Sequence, residues 1–123
     1  MFIEKSLKEY IANVASGDPT PGGGSVSALV GSLGAGLTSM VNNLTVGKKA
    51  YEELSNEIKE EITKNAKEVE GLIEELNKIV DEDTKAFDKV MEAFKLPKET
   101  EEEKAVRREA IQEGYKIALE VPL

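Results

Sequence analysis

The chain has 123 residues, 40% of them hydrophobic and 33% charged, and carries a formal net charge of -8. That length suits one ordinary domain, residues 1–123, and the apolar content is too high for a disordered chain. The negative balance excludes a general nucleic-acid binder, which needs a basic face to displace counterions from phosphates. The absence of cysteine excludes disulfides, thiolate nucleophiles and cysteine-held metals.

Histidine is absent too, which removes the commonest general base and the commonest zinc ligand. Proton chemistry therefore falls to Asp, Glu, Lys or Tyr, and no metal site is expected. The start, Met1-Phe2-Ile3-Glu4-Lys5-Ser6, lacks the basic stretch and apolar core of a secretory signal, so a cytoplasmic protein is expected.

Ser6 and Glu9 form a capping-box pattern, and Leu7, Tyr10, Ile11 and Val14 follow at helical spacing before Gly17 stops the run. Gly17-Asp18-Pro19-Thr20-Pro21-Gly22-Gly23-Gly24 is a loop with unusual backbone demands. Helix resumes near Ser25. From Pro19 to Gly47 no side chain is charged, yet Gly, Ser, Thr and Asn dilute the apolar density below that of a membrane span. The spacing predicts a long helix buried all round. Val26, Val30, Leu33, Leu37, Val41 and Leu44 form its apolar stripe; Ser27, Gly31, Ala35 and Ser39 form a small face that admits a close neighbour, in a bundle centre or a subunit interface.

From Glu52 to Phe94 apolar residues recur at steps of three and four, predicting one long amphipathic helix or two broken near Gly71. Lys95-Leu96-Pro97 ends it. Thr100 and Glu103 make a second capping box, and Val106, Ala110, Ile111, Gly114, Ala118 and Leu119 define a last helix running into Pro122. The fold class is all-α, an antiparallel bundle of about four helices. The apolar ending Val121-Pro122-Leu123 reads as a chain cut before a further helix.

Asp83 interrupts the stripe Leu76, Val80, Asp83, Phe87, Val90. An inward carboxylate needs a partner and would suit a general acid or base; alternatively the helix rolls and Asp83 joins Asp81 and Glu82 in solvent. Gly22, Gly23 and Gly24 before Ser25 would leave a helix N-terminus with exposed N–H groups for an anion or a polar ligand edge, or serve as a tight turn for helix packing. Asn42, Asn43, Thr45, Lys48 and Lys49 gather where that helix ends, either as an anion clamp or as an ordinary helix terminus with Gly47 beyond it. The Glu/Lys surface of residues 52–78 reads as a solvated face.

Four blocks in order carry a family resemblance: Pro19-Thr20-Pro21-Gly22-Gly23-Gly24-Ser25, Asn43-Leu44-Thr45-Val46-Gly47-Lys48-Lys49, Asp81-Glu82-Asp83-Thr84-Lys85-Ala86-Phe87, and Leu96-Pro97-Lys98 leading to Ala110-Ile111-Gln112. The chain resembles the cyclodeaminase/cyclohydrolase family that acts on one-carbon derivatives of tetrahydrofolate. The resemblance implies an all-helical homodimer with a folate cleft and no cofactor beyond the tetrahydrofolate substrate. It implies Asp83 as the acid/base, and substrate contacts from Thr20, Gly22, Gly23, Gly24, Ser25, Asn43, Thr45, Lys48, Lys49 and Phe87, with the lysines toward the glutamate carboxylates. The leading expectation is a formimidoyltetrahydrofolate cyclodeaminase, which forms the 5,10-methenyl compound with loss of ammonia. The alternatives are a methenyltetrahydrofolate cyclohydrolase and a folate-binding or assembly module without catalysis. Members of the family continue past the point where this chain stops, so it resembles their N-terminal part.

Overall fold

A computed structural model describes residues 1–121. Pro122 and Leu123, on which the reading of the chain's ending rests, lie outside the described residues. The described residues form a 3-10 turn, Phe2–Glu4, and five helices with no strand: α1 Leu7–Ala15, α2 Gly23–Thr45, α3 Lys49–Glu52, α4 Asn56–Phe94 and α5 Glu101–Glu120. Local chemistry sets their bounds. Ser6 Oγ accepts from the Glu9 N–H at 3.2 Å to start α1, and Thr100 Oγ1 accepts from the Glu103 N–H at 3.1 Å to start α5. The Glu103 carboxylate reaches back to the Glu99 N–H at 3.2 Å. After α2, Gly47 takes φ +87, a left-handed conformation open to glycine at no steric cost. The one-turn α3 follows and was not expected.

No break occurs at Gly71: α4 runs through 39 residues, about 58 Å at 1.5 Å per residue. A single helical glycine costs only about 1 kcal/mol against Ala, and the apolar stripe keeps its phase across it.

The chain divides into two compact units, one of residues 1–28 with the described residues from Lys78 onward, the other Leu29–Asn77. The first is centred on the second half of α4, where Val80, Thr84, Ala86, Val90 and Ala93 are buried. Tyr10 of α1 joins them, 5% exposed. The N-terminal turn is tied on by the Ile3 N–H, which donates to Asp81 Oδ1 at 3.2 Å, and by Phe2 meeting Tyr10 edge to face at 6.0 Å. α5 approaches α4 closely at Gly114, where a Cβ would lie 3.0 Å from Val90 Cγ2 and 3.1 Å from Val90 Cα. Phe94 and Tyr115 pack edge to face at 6.3 Å beside it.

In the second unit the remainder of α2 packs against the first half of α4. A Cβ at Gly31 would sit 3.5 Å from Leu76 Cδ1, and Ser32 Oγ donates to Asn77 Oδ1 at 2.5 Å. Here the expectation of a helix buried all round needs correcting. Of the small face, Ala35 and Ser39 are half-buried but Ser27 and Gly31 are exposed, Ser32 beside it being buried, whereas Val30, Leu33, Leu37, Val41 and Leu44 are 58 to 61% exposed. The reason is steric: α4 can approach α2 most closely on its small side, and one neighbour covers only one stripe. The expected dilution of apolar density also needs correcting: with mean hydropathy 1.3, α2 is long and apolar enough to cross a membrane by length and composition alone, and 17% of that stretch is buried.

Gly114→Ala should destabilise the chain by about 1–3 kcal/mol, because Val90 contacts the new methyl through backbone as well as side chain. Gly36→Ala, with nothing within 4 Å, should be neutral or stabilising by up to about 1 kcal/mol. Urea titrations of both check the contrast, and equal midpoints would contradict the close α4–α5 approach.

Candidate functional site

The segment before α2 turns sharply. The Asp18 N–H donates to Ser16 Oγ at 3.3 Å, the Thr20–Pro21 peptide is cis, and Pro21 is buried with Thr20 and Gly22 half-buried. The Gly22 carbonyl accepts from the Val26 N–H at 3.0 Å, so Gly22 caps α2. The N–H groups of Gly23, Gly24 and Ser25 then have no acceptor within the helix, as at any helix start, and the positive end of the dipole lies there. The helix begins two residues earlier than its sequence pattern suggests, because glycine at positions 23 and 24 takes helical dihedrals without a side chain to place.

Asp83 faces this end. A Cβ on Gly24 would lie 2.5 Å from the Asp83 Cγ and closer still to one carboxylate oxygen. The side chain of Asp83 therefore occupies the space that a residue larger than glycine would fill. Asp83 is half-buried and Glu82 exposed, while Asp81 accepts from the Ile3 backbone. The alternative in which all three acids share solvent is not what the fold adopts. Phe87, one turn along α4, is half-buried in the same unit.

Ser25 has a different role from the one its place in the glycine run suggests. It is fully buried, and its hydroxyl shares a 2.7 Å hydrogen bond with the Tyr10 hydroxyl. Its side chain is therefore committed to α1, and what it can offer a ligand is its backbone N–H. Tyr10 thus anchors the first turn of α2. Helical spacing places Tyr10 only on the apolar side of α1, since nothing local links residues fifteen apart.

The expected contacts divide between the units. Thr20, Gly22, Gly23, Gly24, Ser25, Asp83 and Phe87 lie in the first, and Asn43, Thr45, Lys48 and Lys49 in the second. All four of the latter are exposed. Thr45 donates its hydroxyl to the Val41 carbonyl at 2.7 Å, which leaves that oxygen as an acceptor. Lys48 is the N-cap of α3 and Lys49 its first residue. Within the first unit, the arrangement sets a carboxylate beside a helix start rich in N–H donors, which can move a proton next to a polar ligand edge.

The formiminotransferase-cyclodeaminase family matches residues 6–123 of the chain. A methenyltetrahydrofolate cyclohydrolase from Methylorubrum extorquens is 45% identical over 123 residues, which are 100% of this chain and 57% of that protein. Formimidoyltransferase-cyclodeaminase from Mus musculus is 38% identical over 122 residues, 99% of this chain and 22% of that protein. The crystal structure of formiminotetrahydrofolate cyclodeaminase from Thermotoga maritima superposes with a TM-score of 0.75 at 34% identity, covering 97% of this chain and 53% of that one. The chain thus spans a little over half of the bacterial relatives and about a fifth of the mouse protein. With the family match running from Ser6 onward and through both the glycine turn and Asp83, the chain belongs to the formiminotransferase-cyclodeaminase family.

Proposed function

We propose that the chain acts on a one-carbon derivative of tetrahydrofolate, opening the 5,10-methenyl ring with water. The observation that carries this reading is the Asp83 carboxylate lodged against Gly24 at the start of α2. In such a reaction water adds to the methenyl carbon, and Asp83 takes the proton that water loses. The tetrahedral carbon then breaks its bond to one folate nitrogen, to which Asp83 returns the proton, while the hydroxyl proton leaves as the formyl carbonyl forms. The N–H groups of Gly23, Gly24 and Ser25 would hold a polar edge of the substrate. Thr20 and Phe87 would line the same place. The reaction needs no cofactor beyond the folate itself. We take the protein to work as a homodimer, as the family resemblance implies, and in the cytoplasm.

The cyclohydrolase reading displaces the cyclodeaminase that the sequence first suggested, because the 45% identity to a cyclohydrolase over the whole chain exceeds the 38% to the mouse cyclodeaminase. Cyclodeaminase activity stays as the second reading, favoured by the structural match to the Thermotoga maritima enzyme. Methenyl absorbance separates the two. It should fall when the chain meets 5,10-methenyltetrahydrofolate. A rise with 5-formimidoyltetrahydrofolate, with ammonia released, would favour the second reading, and no change with either substrate would reject both.

Gly24→Ala tests the geometry directly. The added methyl forces the Asp83 carboxyl out of its place, and loss of a positioned acid/base should slow turnover about 10²-fold or more. Circular dichroism should show the helices intact. An unchanged rate in a folded variant would show that the Asp83 position does not matter to the reaction.

A further inference from the structure

A second concentration of chemistry lies in the first unit, away from the glycine turn. Lys98, Lys104, Arg107, Arg108, Ile111 and Gln112 line a pocket of about 310 Å³. Four of these six residues are cationic and none is acidic, in a chain of net charge -8 with 24 acidic residues. Lys104, Arg107, Arg108 and Ile111 recur on α5 at the three-and-four spacing of one helix face, and Lys98 comes from the loop that precedes it. Both arginines of the chain are here; its other fourteen cations, 16 less 2, are lysines.

The cations are not absorbed by internal ion pairs. Lys104 meets Glu101 at 3.5 Å, an exposed pair of small worth. Lys98 and Arg108 have no carboxylate within 4.0 Å among the described residues. Arg107 is half-buried and held in place: its Nε donates to the Phe94 carbonyl at 3.3 Å, and its guanidinium carbon lies 5.3 Å from the centre of the Phe94 ring. That anchoring uses one of five N–H donors and fixes the plane of the rest. A preoriented guanidinium recognises a carboxylate or phosphate in bidentate fashion at little entropic cost.

We infer that this pocket binds an anion carrying two or more closely spaced carboxylate or phosphate groups. A single charge would leave most of the four cations facing one another, whereas a multiply charged ligand neutralises them together. A volume of about 310 Å³ also suits a small molecule better than a lone ion. The inference stands apart from the folate reaction, since Asp83 and the glycine turn contribute nothing to the pocket.

Isothermal titration of the 123-residue chain with pyrophosphate and with citrate, at low and at moderate salt, tests it. At least one should bind saturably with one equivalent, and more weakly as salt is raised. Lys98→Gln with Arg108→Gln should weaken binding about tenfold or more, since each charge-assisted contact is among the stronger hydrogen bonds. Lys64→Gln with Lys67→Gln removes the same charge from the exposed side of α4 and should shift affinity less than about twofold, as screened distant charges do. Pyrophosphate binding alone would mark a phosphate ligand, and citrate binding the tighter a carboxylate one. Binding of neither probe, or equal weakening by the two double variants, would overturn the inference. None of these readouts depends on turnover.

Discussion

Glycine at position 24 leaves a space at the start of α2 that the Asp83 carboxylate fills. Any larger residue would push the acid away, so the missing side chain on one helix defines where the acid on another can sit. The same first turn is pinned from behind, where Ser25 is fully buried and hydrogen-bonded to Tyr10. The packing that closes the first unit and the position of its proposed acid/base therefore rest on one close approach. Substituting glycine would test both at once, which is why folding and rate must be read separately.

Close approach recurs as the means of assembly in each unit. α5 settles on α4 where Gly114 meets Val90, and α2 settles on α4 where Gly31 meets Leu76 and Ser32 meets Asn77. Small residues bring backbones together and exchange apolar area for dense dispersion contact and directed hydrogen bonds. The consequence is visible on α2: Ser25, Ala28 and Ser32 are buried and Ala35 and Ser39 half-buried, while Val30, Leu33, Leu37, Val41 and Leu44 remain largely exposed.

Much of this was legible in the residues. The capping boxes of Ser6 with Glu9 and Thr100 with Glu103, and the left-handed glycine at position 47, are local signals with local causes. Asp83 was legible as an interruption of the α4 stripe, and its inward position followed. The inner side of α2 was not, because periodicity cannot say whether a neighbour prefers the apolar stripe or the small one; the packing distance decides, and that depends on the partner helix. Nor could spacing reveal that the Ser25 hydroxyl is taken by Tyr10, or that Lys98 joins a face of α5 across a loop. Such pairings exist only once the chain has folded. The glycine turn marked a helix start, but the resemblance carried by four blocks was needed to give it a substrate.

What joins fold to function in this account is the Asp83 carboxylate at the first turn of α2. Asp83→Asn keeps the size of the side chain and removes its ability to accept and return a proton. The most direct measurement is the single-turnover rate of methenyl-ring hydrolysis in this variant beside its affinity for the folate. The rate should fall by about 10²–10⁴-fold with affinity little changed. A rate equal to that of the unaltered chain, with the folate bound as tightly, would contradict it.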